Sequence, residues 1–169
     1  VRDPSKIDAA GTLAIAATGR GAWRASLDDP SQPWQRMSVS LTADLGEATV
    51  LQSLEAGHTD QSGLGAAMQR LGIQRPAIRM DSLGKYVVLA AGAGEVFCRV
   101  PTPDRPNYKE KIWDQAGGAI LIAEAGGRLT DLDGKPLDFS TGRSLQHNRG
   151  VLATNGRLHD PFLAALKSL

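Results

Sequence analysis

Short apolar runs, separated by glycine, proline and acidic residues, set the rhythm of this chain. Leu13 to Ala17 reads as a short buried strand. Gly19-Arg20-Gly21 is a turn, and Ala22 to Leu27 alternates apolar and polar residues like a second strand. Asp28 to Gln35 is polar and carries Pro30 and Pro33, so it reads as a loop. Met37 to Val39 suits an edge strand, and Thr49 to Leu54 another strand, which runs into Glu55-Ala56-Gly57-His58-Thr59-Asp60. Asp60 or Ser62 is placed to cap a helix that continues through Leu71 and stops at Gly72. Ile78 to Met80 is a short strand, followed by a helix capped by Asp81 or Ser82 and running to about Ala91. Glu95 to Val100 alternates again, with Val96, Cys98 and Val100 on one face and Phe97 and Arg99 on the other, and Pro101 ends it.

Beyond a proline-rich loop, Thr102 to Asn107, the pattern changes to a helix that carries Asp114 near its start and stops at Gly126-Gly127. Leu129 to Leu132 and Pro136 to Phe139 flank Asp133-Gly134, a hairpin signal. Gly150 to Thr154 is a last buried strand, and a helix from about Asp160 to Lys167 closes the chain. Strands alternating with helices predict one α/β layered domain, with no internal repeat. A length of 169 residues is enough for one core of useful size. The net charge of +1 gives no basic surface for nucleic acid and no cationic face for a membrane. The single cysteine, Cys98, excludes an internal disulfide framework and fits a reducing compartment, so a cytoplasmic location is the expectation. No apolar run is long enough to span a bilayer.

Several residues carry candidate chemistry. Asp114 lies in the first turn of its helix, where a carboxylate favours the helix dipole and where it could also ligate a hard cation such as Mg2+. His58 sits in a strand-to-helix loop, a place where open α/β sheets bind ligands. Ser82 and Lys85 are three residues apart, so a hydroxyl and an ammonium can share one helix face near its N-terminus, either as a phosphate cradle or as a cap with a solvated lysine. Arg99, at a strand end, is either an edge residue in water or a bidentate phosphate ligand. Cys98 reads as a small core residue, Trp23 and Trp34 as packing residues, and His147 and His159 carry no motif. Glu124 suits either the core or the site.

The order of these signals is more specific than any one of them. Gly57-His58-Thr59 is followed by Met80-Asp81-Ser82-x-x-Lys85-Tyr86, then Arg99-Val100-Pro101 and Glu110-Lys111-Ile112-Trp113-Asp114. Glu124-Ala125-Gly126-Gly127-x-x-Thr130-Asp131 and Pro136-Leu137-Asp138-Phe139 come after. From about Gly11 to the end, this order resembles the C-terminal half of the inositol monophosphatase superfamily, and within it the 3'(2'),5'-bisphosphate nucleotidases.

The resemblance implies a fold: the C-terminal α/β layer of the superfamily's sandwich, a mixed, mostly parallel sheet between helices. It implies that Asp114 is a Mg2+ ligand and that His58, Ser82, Lys85, Arg99 and Asp114 bind substrate. The implied reaction is lithium-sensitive, Mg2+-assisted removal of the 3'-phosphate of 3'-phosphoadenosine 5'-phosphate to give AMP, with water as the nucleophile and no covalent intermediate. An inositol phosphate substrate is the alternative. Inositol monophosphatases carry a glutamate seven positions before the Trp-Asp aspartate, where this chain has Asn107, and the Lys85 and Arg99 pair suits a second phosphate. The family's upstream glutamate and its Asp-Pro-Ile/Leu-Asp-Gly-Thr motif are missing: Asp3-Pro4 begins in that way but continues Ser5-Lys6-Ile7-Asp8. One carboxylate cannot hold the full set of ions, so no catalytic residue is assigned within this chain. The expectation is a piece of a complete phosphatase that acts with a missing N-terminal metal-binding segment or a companion chain. A catalytically dead nucleotide- or phosphate-binding fragment is the other reading.

Overall fold

The computed structural model describes residues 11–29 and 31–167; the Asp3-Pro4-Ser5-Lys6-Ile7-Asp8 segment lies outside them. Among these residues, two sheets and four α-helices form the domain. β1 (Thr12–Ala17), β2 (Gly21–Ser26) and β3 (Gln35–Met37) make an antiparallel three-stranded sheet in that order. The second sheet has five strands: β4 (Val50–Gln52), β5 (Ile78–Arg79), β6 (Val96–Arg99), β7 (Arg128–Thr130) and β8 (Val151–Thr154), in the order β5-β4-β6-β8-β7. β5, β4 and β6 run parallel, and β8 runs antiparallel to both β6 and β7. The helices are α1 (Gln61–Arg70), α2 (Gly84–Ala90), α3 (Ile112–Glu124) and α4 (His159–Lys167).

The alternation of β6 decides how the layers stack. Val96 and Cys98 enter a cluster with Leu64, Ala67, Leu152, Phe162 and Leu166, beneath α1 and α4. Phe97 enters the opposite cluster with Leu51, Tyr86, Leu89, Ile122 and Ala153, beneath α2 and α3. The three-stranded sheet packs on the far side of α3, with Ala22 and Met37 in that second cluster. Helices therefore cover both faces of the five-stranded sheet, as the α/β expectation required.

Local chemistry explains the boundaries. The Asp60 carboxylate accepts from the Ser62 and Gly63 N–H groups and starts α1, while Gly72, at φ 70°, lets the chain leave it. In α4, His159, Phe162, Leu163 and Leu166 recur at helical spacing and are buried. α3 approaches α2 so closely that a Cβ on Gly118 would lie 2.2 Å from the Tyr86 ring. Glu124, at the end of α3, accepts from the Gly19 and Gly21 N–H groups, each at 2.8 Å, and so holds the β1–β2 turn. These two bonds keep its carboxyl below the usual glutamate range. A carboxylate is disfavoured at a helix C-terminus, so its role here is to clamp the turn.

Three sequence expectations are corrected. The Asp133-Gly134 turn forms, but Pro136 to Phe139 is no strand: β7 pairs with β8 instead. Proline cannot donate to a ladder, and Asn148 takes both the Pro136 carbonyl and the Asp138 N–H. Asp81 does not cap α2 but accepts from the Leu54 N–H; the cap position is Leu83, which makes no side-chain cap bond, and the Ser82 hydroxyl accepts from the first helical N–H, Gly84. Trp34 is exposed rather than packed, and Trp23 is half-buried, its indole N–H donating to the Arg20 carbonyl. Cys98 is buried, and burial pushes its thiol up, out of reach of nucleophilic chemistry.

His159 is fully buried between Thr130 and Thr154, 2.9 Å from one hydroxyl and 3.0 Å from the other. The Thr130 hydroxyl gives its proton to the Asp131 carbonyl, so Nε2 donates to Thr130 and Nδ1 accepts from Thr154. The neutral ring is thus fully matched, and burial, followed by the Arg128 charge, pulls its pKa down to about 4 from 6.5.

Two predictions follow from this packing. Gly118→Ala drives a methyl into the Tyr86 ring and should cost about 1–3 kcal/mol. Gly117→Ala, with nothing within 4 Å of its new Cβ, should gain up to about 1 kcal/mol of helix stability. Chemical denaturation of the two variants checks the contrast. For His159, the unfolded chain binds a proton near pH 6.5 and the folded chain only near 4. Stability from this group is therefore complete above about pH 6.5 and falls as the pH drops toward 4. In parallel urea titrations, the stability gap between the wild type and His159→Gln should narrow across that window.

Candidate functional site

Connections from adjacent strands leave the five-stranded sheet on opposite faces. β4 leads to α1 on one side, while β6 leads to α3 on the other. A crevice opens between the two strand ends at such a reversal. Here it is a cleft of about 560 Å³, lined by Gly57 and His58 after β4, Ser82, Leu83, Lys85 and Tyr86 around the start of α2, Arg99 to Thr102 at the end of β6, and Asp114 and Gln115 on α3. The loop after β4 is tied to the end of β6 by two bonds. The Val100 N–H donates to the Thr59 hydroxyl, and the Asp60 N–H donates to the Val100 carbonyl, both at 2.9 Å.

All five residues singled out in the sequence, His58, Ser82, Lys85, Arg99 and Asp114, line this one cleft. Their individual surroundings differ from the simplest expectation. His58 is exposed and its Nε2 lies 2.8 Å from the Glu55 carboxylate. Ser82 has φ 68°, the one non-glycine residue at positive φ among the described residues. Its hydroxyl accepts from the Gly84 N–H at 3.1 Å. Lys85 is only 3% exposed, and its ammonium donates to the Met80 and Ser82 carbonyls at 3.0 Å while lying 5.4 Å from the centre of the Phe97 ring. Burial lowers its pKa, and the Arg99 charge lowers it further. The lysine is therefore not a solvated helix-face residue: it braces the strained Ser82 turn.

Arg99 is also committed. Its Nε and Nη2 face the two oxygens of Glu110 at 3.2 and 3.3 Å. Glu110 in turn accepts from the Gln115 amide at 2.7 Å, and the Gln115 carbonyl accepts from the Tyr86 hydroxyl. Burial and the neighbouring Glu110 charge push the Tyr86 phenol up, so it stays a donor. Asp114 is exposed at the third position of α3, on the cleft wall. Arg105 and Tyr108 complete the mouth, with the guanidinium 5.5 Å from the ring centre. The sequence reading did not assign Glu110, Gln115, Tyr86, Arg105 or Tyr108. Glu110 could have been found from its position inside the Glu-Lys-Ile-Trp-Asp block, whereas the loop residues Arg105 and Tyr108 carry no pattern.

For a hard cation, the site supplies one open carboxylate, Asp114. Glu110 is taken by Arg99 and Gln115, and among the described residues no group of three or more His, Cys, Asp or Glu side chains converges on a metal position. The residues present fit one ligand of a Mg2+ ion and no more.

The inositol monophosphatase family model matches residues 1–169. The chain belongs to the inositol monophosphatase family. A 3'(2'),5'-bisphosphate nucleotidase of Emericella nidulans is 38% identical over 160 residues, covering 94% of this chain and 45% of the relative. One from Oryza sativa is 40% identical over 160 residues, covering 95% and 43%. The chain thus spans less than half the length of these curated relatives. Among solved structures, an inositol monophosphatase from Anabaena (Nostoc) superposes with a TM-score of 0.67 at 26% identity, over 94% of this chain and 55% of that one. The fold class, a mixed α/β sheet of this family, stands, but the sheet is not mostly parallel: β8 pairs antiparallel with both β6 and β7, and only β5-β4 and β4-β6 are parallel. No helix among the described residues is long and apolar enough to cross a membrane.

The braced Ser82 turn gives the third prediction. Lys85→Met removes the donor to two carbonyls inside the cleft wall and should destabilise the fold by about 1–3 kcal/mol. A thermal melt of the variant beside the wild type checks it; an unchanged midpoint would mean that water replaces the ammonium.

Proposed function

We propose that this chain is the phosphate- and nucleotide-holding part of a Mg2+-dependent phosphatase that converts 3'-phosphoadenosine 5'-phosphate to AMP and phosphate. The observation that carries this reading is the convergence of His58, Ser82, Lys85, Arg99 and Asp114 on one cleft at the strand-order reversal. The cleft holds the cations Lys85, Arg99 and Arg105, which suit phosphate, and the apolar and aromatic surfaces of Leu83, Pro101 and Tyr108, which suit a base. Curated relatives named 3'(2'),5'-bisphosphate nucleotidase support the substrate class. Asn107, where inositol monophosphatases carry glutamate, argues against the inositol phosphate alternative.

In this reading Asp114 is one ligand of a bound Mg2+, which would supply charge to activate water and stabilise the leaving oxygen. The other acidic ligands come from an N-terminal segment or a companion chain. The chain's own residues bind and orient: Arg99 holds the substrate's phosphate, Lys85 adds positive charge from within the wall that it braces, and Ser82 and His58 line its path. A non-catalytic binding fragment is the second reading, favoured by the single open carboxylate.

Phosphate release from 3'-phosphoadenosine 5'-phosphate, with Mg2+ and with or without lithium, tests the proposal. The 169-residue chain should bind the nucleotide and release no phosphate, while a protein that also carries the acidic segment should release it in a lithium-sensitive way. Hydrolysis by the chain alone would overturn the division of labour, and no binding at millimolar nucleotide would overturn the phosphate site.

A further inference from the structure

Arg99 has five N–H donors arranged along two edges that each match a pair of oxygens. Glu110 occupies the side edge, Nε with Nη2. The end edge, formed by Nη1 and the second Nη2 hydrogen, remains for another bidentate partner. Both residues are largely removed from water, with side-chain exposures of 14% for Arg99 and 6% for Glu110. In such surroundings the pair holds one geometry, since rotation of the guanidinium would break both bonds at once.

Glu110 is itself fixed from every side. Its backbone carbonyl accepts from the Leu145 N–H at 2.9 Å, and the next residue, Lys111, bridges to Ser144. Its carboxylate is held by Gln115, and Gln115 by Tyr86, whose ring stands edge-on to Phe97 with centroids 5.0 Å apart. The run Tyr86–Gln115–Glu110–Arg99 therefore passes from the core between α2 and α3 to the wall of the cleft, with each buried polar group matched.

Resting on the function proposed above, we propose that Glu110 is a positioning residue: it takes the side edge of Arg99 so that the end edge is presented, already oriented, to a phosphate group of the substrate. Two simpler roles predict different results. If Glu110 acted only as a negative charge near the cleft, neutralising it would tighten the binding of an anion. If it acted only in folding, its loss would lower stability without a selective effect on phosphate. Positioning predicts the opposite sign from the first and a selectivity absent from the second.

The test uses the full 169-residue chain, with AMP and adenosine as probes in calorimetric titrations, and nitrogen-detected NMR of the Arg99 Nε–H. Glu110→Gln keeps the size of the side chain but turns one acceptor into a donor: the amide oxygen stays with Nη2 and Gln115, and the new NH2 faces Nε. It should weaken AMP binding about ten-fold, the scale on which loss of a fixed charge-assisted bond is felt, while leaving adenosine unchanged. Glu110→Asp should recover part of the loss, and in an Arg99→Lys background Glu110→Gln should add little. The Arg99 Nε–H signal should exchange slowly in the wild type. AMP binding by folded Glu110→Gln that equals or exceeds wild type overturns the inference, as does an equal loss for adenosine. Should Glu110→Gln not fold, a rapidly exchanging Arg99 Nε–H in the wild type overturns it on its own. Failure of the wild type to bind AMP is a separate outcome, because it removes the phosphate site itself and the inference with it.

Discussion

The contact between Tyr86 and Gly118 sets the geometry on which the cleft depends. With no side chain at position 118, α3 lies against the ring of a residue in α2. That close approach places the phenol within reach of Gln115, one turn back along α3 from Gly118. From Gln115 the polar run continues to Glu110 and Arg99. A packing decision inside the core thus becomes the orientation of a guanidinium at the surface. The cost of burying these polar groups is offset because each one meets a partner; a half-matched run in the same place would be worse than an apolar core.

The second constraint is topological. Because β4 and β6 are neighbours whose connections leave on opposite faces, their ends cannot be covered by the same helix. The crevice that results would be a weakness unless its loops were fixed. Thr59 fixes one of them, since its buried hydroxyl holds the Val100 N–H. Lys85 fixes another by bonding the two carbonyls around the strained Ser82 turn. A residue that looks like a ligand in the sequence, Lys85, is thus one that holds a wall of the cleft in place.

Much of this was legible in the sequence, for a physical reason. Strands that alternate, such as Val96 to Val100, state which residues face which layer, and helix ends marked by Asp60 and Gly72 state where the chain turns. That His58, Ser82, Lys85, Arg99 and Asp114 share one cleft was legible because short blocks around them kept a recognisable order, not because of any one side chain. What could not be read was the pairing. Nothing in the spacing of Arg99 and Glu110 says that they meet, because a proline-rich loop of irregular geometry lies between them. The Asp133-Gly134 signal was misread for a related reason: turn chemistry shows that a turn forms, but which strand pairs afterwards is decided by partners such as Asn148 and β8, far along the chain.

The pairing also determines which groups of the cleft stay open. Counting residue types alone, the cleft offers two carboxylates, Glu110 and Asp114, against Lys85, Arg99 and Arg105. Once the bonds are drawn, Glu110 belongs to Arg99 and Gln115, and only Asp114 is open to a cation. A hard divalent ion needs more oxygen ligands than that, while Arg99 is held in one orientation by its carboxylate partner. The described residues of the cleft therefore do not by themselves make up a metal site. That asymmetry follows from the contacts in the cleft itself: the same buried pairing that orients Arg99 takes Glu110 away from any cation.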